Sequence, residues 1–285
     1  MATTEWKPYS LPRDHTESNR LNLQHKVYIA NAGFLLHPRI AAALPEQARV
    51  ADVGTGTGAW LNDLAAESPS SWSYTGFDIS DAQFPQTNTG PCRFTTLNIL
   101  DDVPDEYREH FDVVHLRLLV CGLSGADWAT TARNASQLLK PGGWIQWHEC
   151  AFLHLQVLQN APAAPPSACR QLVALLLAGQ AREGKMVEDV LRLAQTVRQA
   201  GGFQDCEDYV FSSDRVAETR GATNEIHHPA VGALARYAVQ ASPGLDGWTR
   251  EKVEELMQRG SRELEGGKAY YRWDMHIVTA RKPVV

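Results

Sequence analysis

Short apolar runs alternate, through the first half of the chain, with stretches whose apolar residues recur every three or four positions. Arg49-Val-Ala-Asp-Val53 reads as a strand running into Gly54-Thr-Gly-Thr-Gly58, and residues 59–66 as a helix stopped by Ser68-Pro69. Ser73-Tyr-Thr-Gly-Phe77, ending at Asp78, and residues 93–97 read as the second and third strands. The acidic loop 101–109 holds Pro104 and is expected at the surface. Phe111-Asp-Val-Val-His-Leu-Arg-Leu118 is apolar enough for a strand buried on both faces. A helix capped by Ser124 or Asp127 runs to Leu139, Lys140-Pro-Gly-Gly143 stops it, and 144–148 form the fifth strand. Strand–helix alternation with a glycine-rich first turn predicts an α/β fold on a doubly wound, mostly parallel sheet. The right-handed crossover rule then restricts its topology.

The flanks are less regular. Residues 1–47 combine turn formers with a helix over 17–30, in which Leu21, His25, Tyr28 and Ile29 can share a face. Ala161-Pro-Ala-Ala-Pro-Pro166 reads as a break. Helices are expected over 167–180 and 185–200, the latter with a Val187, Val190, Leu191, Ala194, Val197 stripe ended by Gly201-Gly202. Helices near 229–241 and 249–264 and strands over 203–211 and 273–280 complete a count of seven strands. The stretches 154–200 and 213–266 are too long for simple crossovers, so part of each is assigned to a cap over the strand ends. The helix over 249–264 suits internal packing or a dimer face, which leaves monomer and homodimer both open.

Composition narrows the class. With 44% apolar and 21% charged residues in 285, the chain is an ordinary globular one and not a disordered one. A net charge of −6 lacks the basic footprint of a general nucleic-acid binder. The polar N-terminus argues against a secretory signal, and the longest apolar stretch, 172–179, is too short to span a membrane. Five widely spaced cysteines without a Cys-x-x-Cys are expected to be reduced thiols of a cytoplasmic protein.

The glycine loop carries the candidate chemistry. Gly54-x-Gly56-x-x-Ala59 fits the dinucleotide fingerprint, and Asp52-x-Gly54-x-Gly56-x-Gly58 fits the form typical of S-adenosyl-L-methionine (SAM) binding. The second reading is preferred. A dinucleotide brings an anionic pyrophosphate, which a neighbouring Asp52 would repel. SAM brings an α-ammonium that Asp52 would attract, and a methionine tail that side-chain-free backbone can approach closely. Asp78, twenty residues after Gly58 at a strand end, suits a ribose diol.

Together, Glu17-Ser-Asn-Arg-Leu-Asn-Leu-Gln-His25, Val50-Ala-Asp-Val-Gly-Thr-Gly-Thr-Gly-Ala-Trp-Leu61, Gly76-Phe-Asp-Ile-Ser-Asp-Ala-Gln-Phe-Pro85, Phe111-Asp-Val-Val-His-Leu-Arg-Leu-Leu119 and Leu138-Leu-Lys-Pro-Gly-Gly-Trp-Ile-Gln-Trp147 resemble fungal class I methyltransferases of secondary metabolism. The resemblance covers about residues 9–150. It implies a Rossmann-like core over 48–285 with cap insertions, closed by an N-terminal helical lid over 1–47. It implies SAM as cofactor, S-adenosyl-L-homocysteine as product, and a small secondary metabolite methylated on O, N or S. By position, Gly54, Thr55, Gly56 and Gly58 would wrap the methionine moiety and Asp78 would hold the ribose. Ile79, Asn98, Ile99 and Leu100 would line the adenine site. Asn98 stands where many members carry an acid, and its amide oxygen can still accept from the adenine amino group. His115 and Arg117 would lie near the transferred methyl, and Arg20, Gln24, His25 and Tyr9 in the lid.

Methyl transfer is an in-line displacement, so positioning supplies much of the rate, and a base helps where the acceptor is a neutral hydroxyl. His25 and His115 are the candidate bases, with His148 and Glu149 behind them. His227-His228 are adjacent and point apart on a regular element, and no metal-ligand spacing stands out. Trp60, Trp144, Trp147, Trp248, Tyr270 and Tyr271 supply surface for a substrate cavity or, as is commoner, for the core. Two further readings keep the same first half: a SAM-binding cyclase or pericyclase without methyl transfer, and a methyltransferase-like regulator.

Overall fold

The computed structural model describes residues 11–87, 90–160, 165–185, 188–241, 245 and 247–284; Tyr9, most of the 161–166 break and Val187 lie outside them. Among the described residues the strands are β1 (Arg49–Val53), β2 (Ser73–Asp78), β3 (Cys92–Thr96), β4 (Phe111–Arg117), β5 (Leu139–Gln159), β6 (Gln204–Ser212) and β7 (Ala269–Arg281). They form one sheet ordered β3-β2-β1-β4-β5-β7-β6. The five strands from β3 to β5 are parallel, and β7 runs antiparallel to both β5 and β6. This is the mostly parallel seven-stranded sheet, Rossmann-like in its first half, that the alternation predicts.

The helices are α1 (His15–Ala32), α2 (Pro38–Ala41), α3 (Ala59–Glu67), α4 (Asp127–Leu138), α5 (Ser167–Arg182), α6 (Leu193–Gly201), α7 (Arg220–Ala241) and α8 (Arg250–Leu264). Asp14 caps α1 by accepting from the Glu17 N–H at 2.9 Å, and Gly33 closes it with φ 88°. Alternation along the strands sends Val50, Tyr74, Val113 and Trp144 to a core under α2 and α3, which includes Trp60 and Leu61. Ala51, Val53, Phe77, Val114, Leu116 and Trp147 face the other core, with α4. β4 is therefore buried on both faces, as its composition predicts.

Three elements differ from the sequence expectation. β5 spans 21 residues, because Lys140-Pro-Gly-Gly143 is a bulge within it and not a stop. Gly142 takes φ 79°, and the C-terminal segment pairs with the bulge through Gly142 N–H to the Lys282 carbonyl and Lys282 N–H to the Gly143 carbonyl. Residues 154–159 are accordingly sheet, and β5 and β7 shift register between Ala151 and Gln156. The helix expected over 185–200 starts at Leu193 after a 3-10 turn over Asp189–Arg192, and α6 packs on α4 as a crossover. α7 starts nine residues before Pro229 and carries that proline inside it. Helices α5, α7 and α8 pack against one another, so close that a Cβ on Gly179 would stand 2.3 Å from Cβ of Ala238. Trp60, Trp144, Trp147, Tyr270 and Tyr271 are core residues. No helix of the described residues is long and apolar enough to cross a membrane.

Candidate active site

The chain leaves β1 toward β2 on one side, and later places β4 on the other side of β1. A doubly wound sheet opens a crevice at such a reversal, outside the carboxyl ends of its strands. β1 delivers Gly54–Gly58 there, β2 delivers Asp78, and β4 delivers Arg117 and the Leu118–Cys121 turn. Gly54 and Gly56 have φ of 73° and 54°, and a Cβ on Gly54 would come within 2.6 Å of Leu119 Cδ2. These two positions require glycine for conformation and, at Gly54, for space. The Gly54 and Thr55 N–H groups donate to the Phe77 carbonyl, which ties the loop to β2. Asp78 Oδ2 accepts from the Gly56 N–H at 2.9 Å and Oδ1 from the Ser80 N–H at 3.2 Å. Burial raises its pKa; the N–H bonds and Arg13 only partly offset this.

The crevice is a cavity of about 450 Å³, within the range of small-molecule sites. Of the residues expected to hold a cofactor, Gly54, Thr55, Gly56, Asp78, Ile79 and Asn98 line it. So do Ile99, Leu100, Arg117, Arg20 and Gln24. Asn98 Oδ1 accepts from the Leu100 N–H at 3.1 Å, which leaves its NH2 group to donate. Arg20 makes a two-point pair with Glu17 at 2.8 and 2.6 Å. Thr57 Oγ donates to Asn22 Oδ1 at 2.7 Å and joins the loop to α1.

Asp52, Gly58, His25 and His115 do not line the cavity. Gly58 lies against Phe94, 2.6 Å from where its Cβ would be. Asp52 and His115 are register partners on β1 and β4, pointing into the core under Trp60, whose ring stacks on His115 at 3.7 Å. His115 Nδ1 donates to Asp52 Oδ1 at 2.7 Å, and the Thr55 hydroxyl donates to Oδ2 at 2.7 Å. Burial opposes the Asp52 charge, yet the His115 and Thr55 bonds and Arg117 outweigh it and lower the pKa. Burial keeps His115 neutral despite that partner. Asp52 is thus satisfied inside the protein by His115 and Thr55, behind the cavity wall and not in it.

His25 is 3% exposed; Arg117 Nη1 donates to its Nδ1 at 3.0 Å and its Nε2 donates to Asp63 at 2.9 Å. Burial, reinforced by Arg117, lowers its pKa to about 4. Both of its ring nitrogens are engaged, and neither His25 nor His115 lines the cavity. His148 is buried beside His115, 5.1 Å between ring centres. Glu149 is wholly buried, accepting from the Leu119 and Val120 N–H groups and from Trp147 Nε1, and burial raises its pKa to about 7. It holds the Leu119–Cys121 turn from behind.

The second half of the chain adds to the wall, among others, Phe152 and Leu155 on β5, Leu176 on α5, His227 and Leu234 on α7, Trp273 on β7, and Lys185. Sequence reading missed them. No motif marks them, and the β5 bulge and the α7 start that aim them are tertiary features. No cluster of His, Cys, Asp or Glu that could hold a metal occurs among the described residues.

A glycine loop, a carboxylate at the end of β2 and a cavity at the sheet's reversal define an enzyme that binds an adenosine-type cofactor. The chain belongs to the methyltransferase-domain family, which it matches over residues 24–173. It is a SAM-dependent methyltransferase. It is 30% identical to methyltransferase grgD of a Penicillium species, over 96% of each chain. It is 36% identical to N-methyltransferase sirN of Leptosphaeria maculans over 51% of this chain and 50% of the other. To N-methyltransferase gliN of Aspergillus fumigatus it is 32% identical, over 64% and 66% of the two chains.

Proposed function

We propose that this enzyme methylates a small secondary metabolite, with cofactor and acceptor lying end to end in one cavity. The observation that carries this reading is the cavity's continuity. The same cavity is lined by the glycine loop, Asp78 and Asn98 and by the apolar Phe152, Leu155 and Trp273. Each Asp78 oxygen keeps a lone pair beyond its backbone bond, so the carboxylate can take both ribose hydroxyls. Ile79, Ile99 and Leu100 flank the adenine, and Asn98 meets its edge. Gly54, Thr55 and Gly56 admit the methionine tail, and Arg117 pairs with its carboxylate. When bound, SAM supplies a methyl group made electrophilic by its sulfonium. The protein aligns an acceptor with that carbon and excludes water.

In this reading α1 and the rest of 1–47 form the lid, with Arg20 and Gln24 over the cofactor. Residues 48–285 form the core, and α5, α7 and α8 cap the acceptor end. His25, His115 and Asp52 act as a buried frame that sets Arg117 and Thr55. Relatives named as N-methyltransferases favour nitrogen as the acceptor atom over oxygen or sulfur. The test is incubation with methyl-labelled SAM and a panel of small amines, phenols and thiols. Label on one of them with equimolar S-adenosyl-L-homocysteine is the expected result. A changed acceptor with SAM unconsumed would replace this reading with a cyclase.

A further inference from the structure

The His227-His228 pair is absorbed by neither the cofactor end nor the fold alone. The two rings leave α7 on different sides. His228 is a packing residue, bonded to Tyr271 Oη and to the Met257 carbonyl at 3.0 Å each. His227 falls on the face made with Ala230, Val231 and Leu234, spaced i, i+3, i+4 and i+7, and all four line the cavity. It is the one polar member of that face. Its ring lies 3.7 Å from the Trp273 ring, centre to centre, which restricts its rotation.

Its tautomer follows from its partner. Nδ1 stands 2.8 Å from the Thr223 carbonyl oxygen, one helical turn back. A carbonyl oxygen only accepts, so Nδ1 carries the proton and Nε2 keeps the lone pair. Burial, reinforced by the Arg20 charge and partly offset by the Thr223 bond, lowers the pKa to about 3. The ring therefore stays neutral and Nε2 remains an acceptor across physiological pH.

We infer that His227 receives the methyl acceptor, its Nε2 taking a hydrogen bond from an N–H or O–H at or beside the atom to be methylated; this rests on the cofactor placement proposed above. The cavity lining of Phe152, Leu155, Leu176, Leu234 and Trp273, which Arg20 and Lys185 also join, points to the substrate class: a largely apolar, ring-bearing molecule that still carries a polar hydrogen. A molecule whose only nitrogen is already fully substituted leaves Nε2 without a donor and is disfavoured. The residue acts by orientation, since a ring so reluctant to protonate is a poor proton sink.

Nitrogen-15 NMR of histidine-labelled protein, alone and loaded with S-adenosyl-L-homocysteine, tests this. The probes are indole against 1-methylindole, and aniline against N,N-dimethylaniline. The expected result is an Nδ1–H tautomer for His227, with Nε2 shifted by indole and aniline and not by their methylated partners. Dissociation constants should favour the N–H member by about fivefold, the worth of one hydrogen bond. His227→Phe should erase that preference, and His227→Gln, which keeps an acceptor oxygen, should restore part of it. An Nε2–H tautomer, an equal or absent response to both probes, or a preference that survives in His227→Phe would overturn the assignment. Failure of S-adenosyl-L-homocysteine to bind would instead overturn the cofactor placement, and the tautomer and probe readings from the unloaded protein would remain interpretable.

Discussion

Asp78 meets the loop through one carboxylate oxygen and Ser80 through the other, so its charge orders the glycine turn before any ligand is present. Asp78→Asn keeps the shape and removes the charge and one acceptor. It is expected to weaken SAM binding by about 1.5–3 kcal/mol, the scale of a hydrogen bond to a charged group, as read by calorimetry. Glu149 has a different signature. Its folded pKa, about 7, exceeds the ordinary carboxylate value of 4.5. Between these values the unfolded chain has released a proton that the folded chain retains. Stability contributed here is therefore greatest below pH 4.5 and declines as pH rises to about 7. Urea denaturation at pH 5 and pH 8 should show a decline that Glu149→Gln reduces. Sequence identifies Asp78 by its distance from the loop, yet says nothing of Glu149, whose pKa depends on the core that encloses it.

At the scale of elements, helix ends and close contacts set the geometry of the site. Asn31, wholly buried near the end of α1, donates to Thr219 Oγ at 3.0 Å and accepts from the Val216 N–H at 2.9 Å. It thereby fixes α1 to the turn that leads into α7. Asn31→Ala strands buried partners, so a loss of about 1–3 kcal/mol in urea denaturation is expected, with weaker SAM binding. Gly179 permits the α5–α7 contact, and Gly179→Val should destabilise the fold by about 1–3 kcal/mol through overpacking. The first five strands and α3 are legible in sequence because their periodicity and turn residues are local. The length of β5 and the start of α7 are not. A bulge joined by the C-terminal segment and a proline tolerated inside a helix are both decided by what packs around them.

For the whole molecule, a ligand that binds only the folded state must stabilise it. SAM at a hundred times its dissociation constant should raise unfolding free energy by about 2.7 kcal/mol. Gly56→Arg should abolish that increment; a Cβ there meets only Leu21 Cδ1, at 3.7 Å, so its cost to the fold is the strain of a left-handed φ of 54°, about 1–2 kcal/mol, read in the same denaturation without ligand. A normal increment in this variant would refute the loop assignment.

Local pattern alone determines the alternating strands, the side-chain-free turn and the acid at the end of β2, because each depends on residues a few positions apart. The pairing of Asp52 with His115 across two strands, which turns both into the core and out of the cavity lining, needs the sheet register. So does the meeting of Phe152, His227 and Trp273, drawn from β5, α7 and β7. Long-range packing encloses this part of the cavity, and no local signal in the chain encodes it.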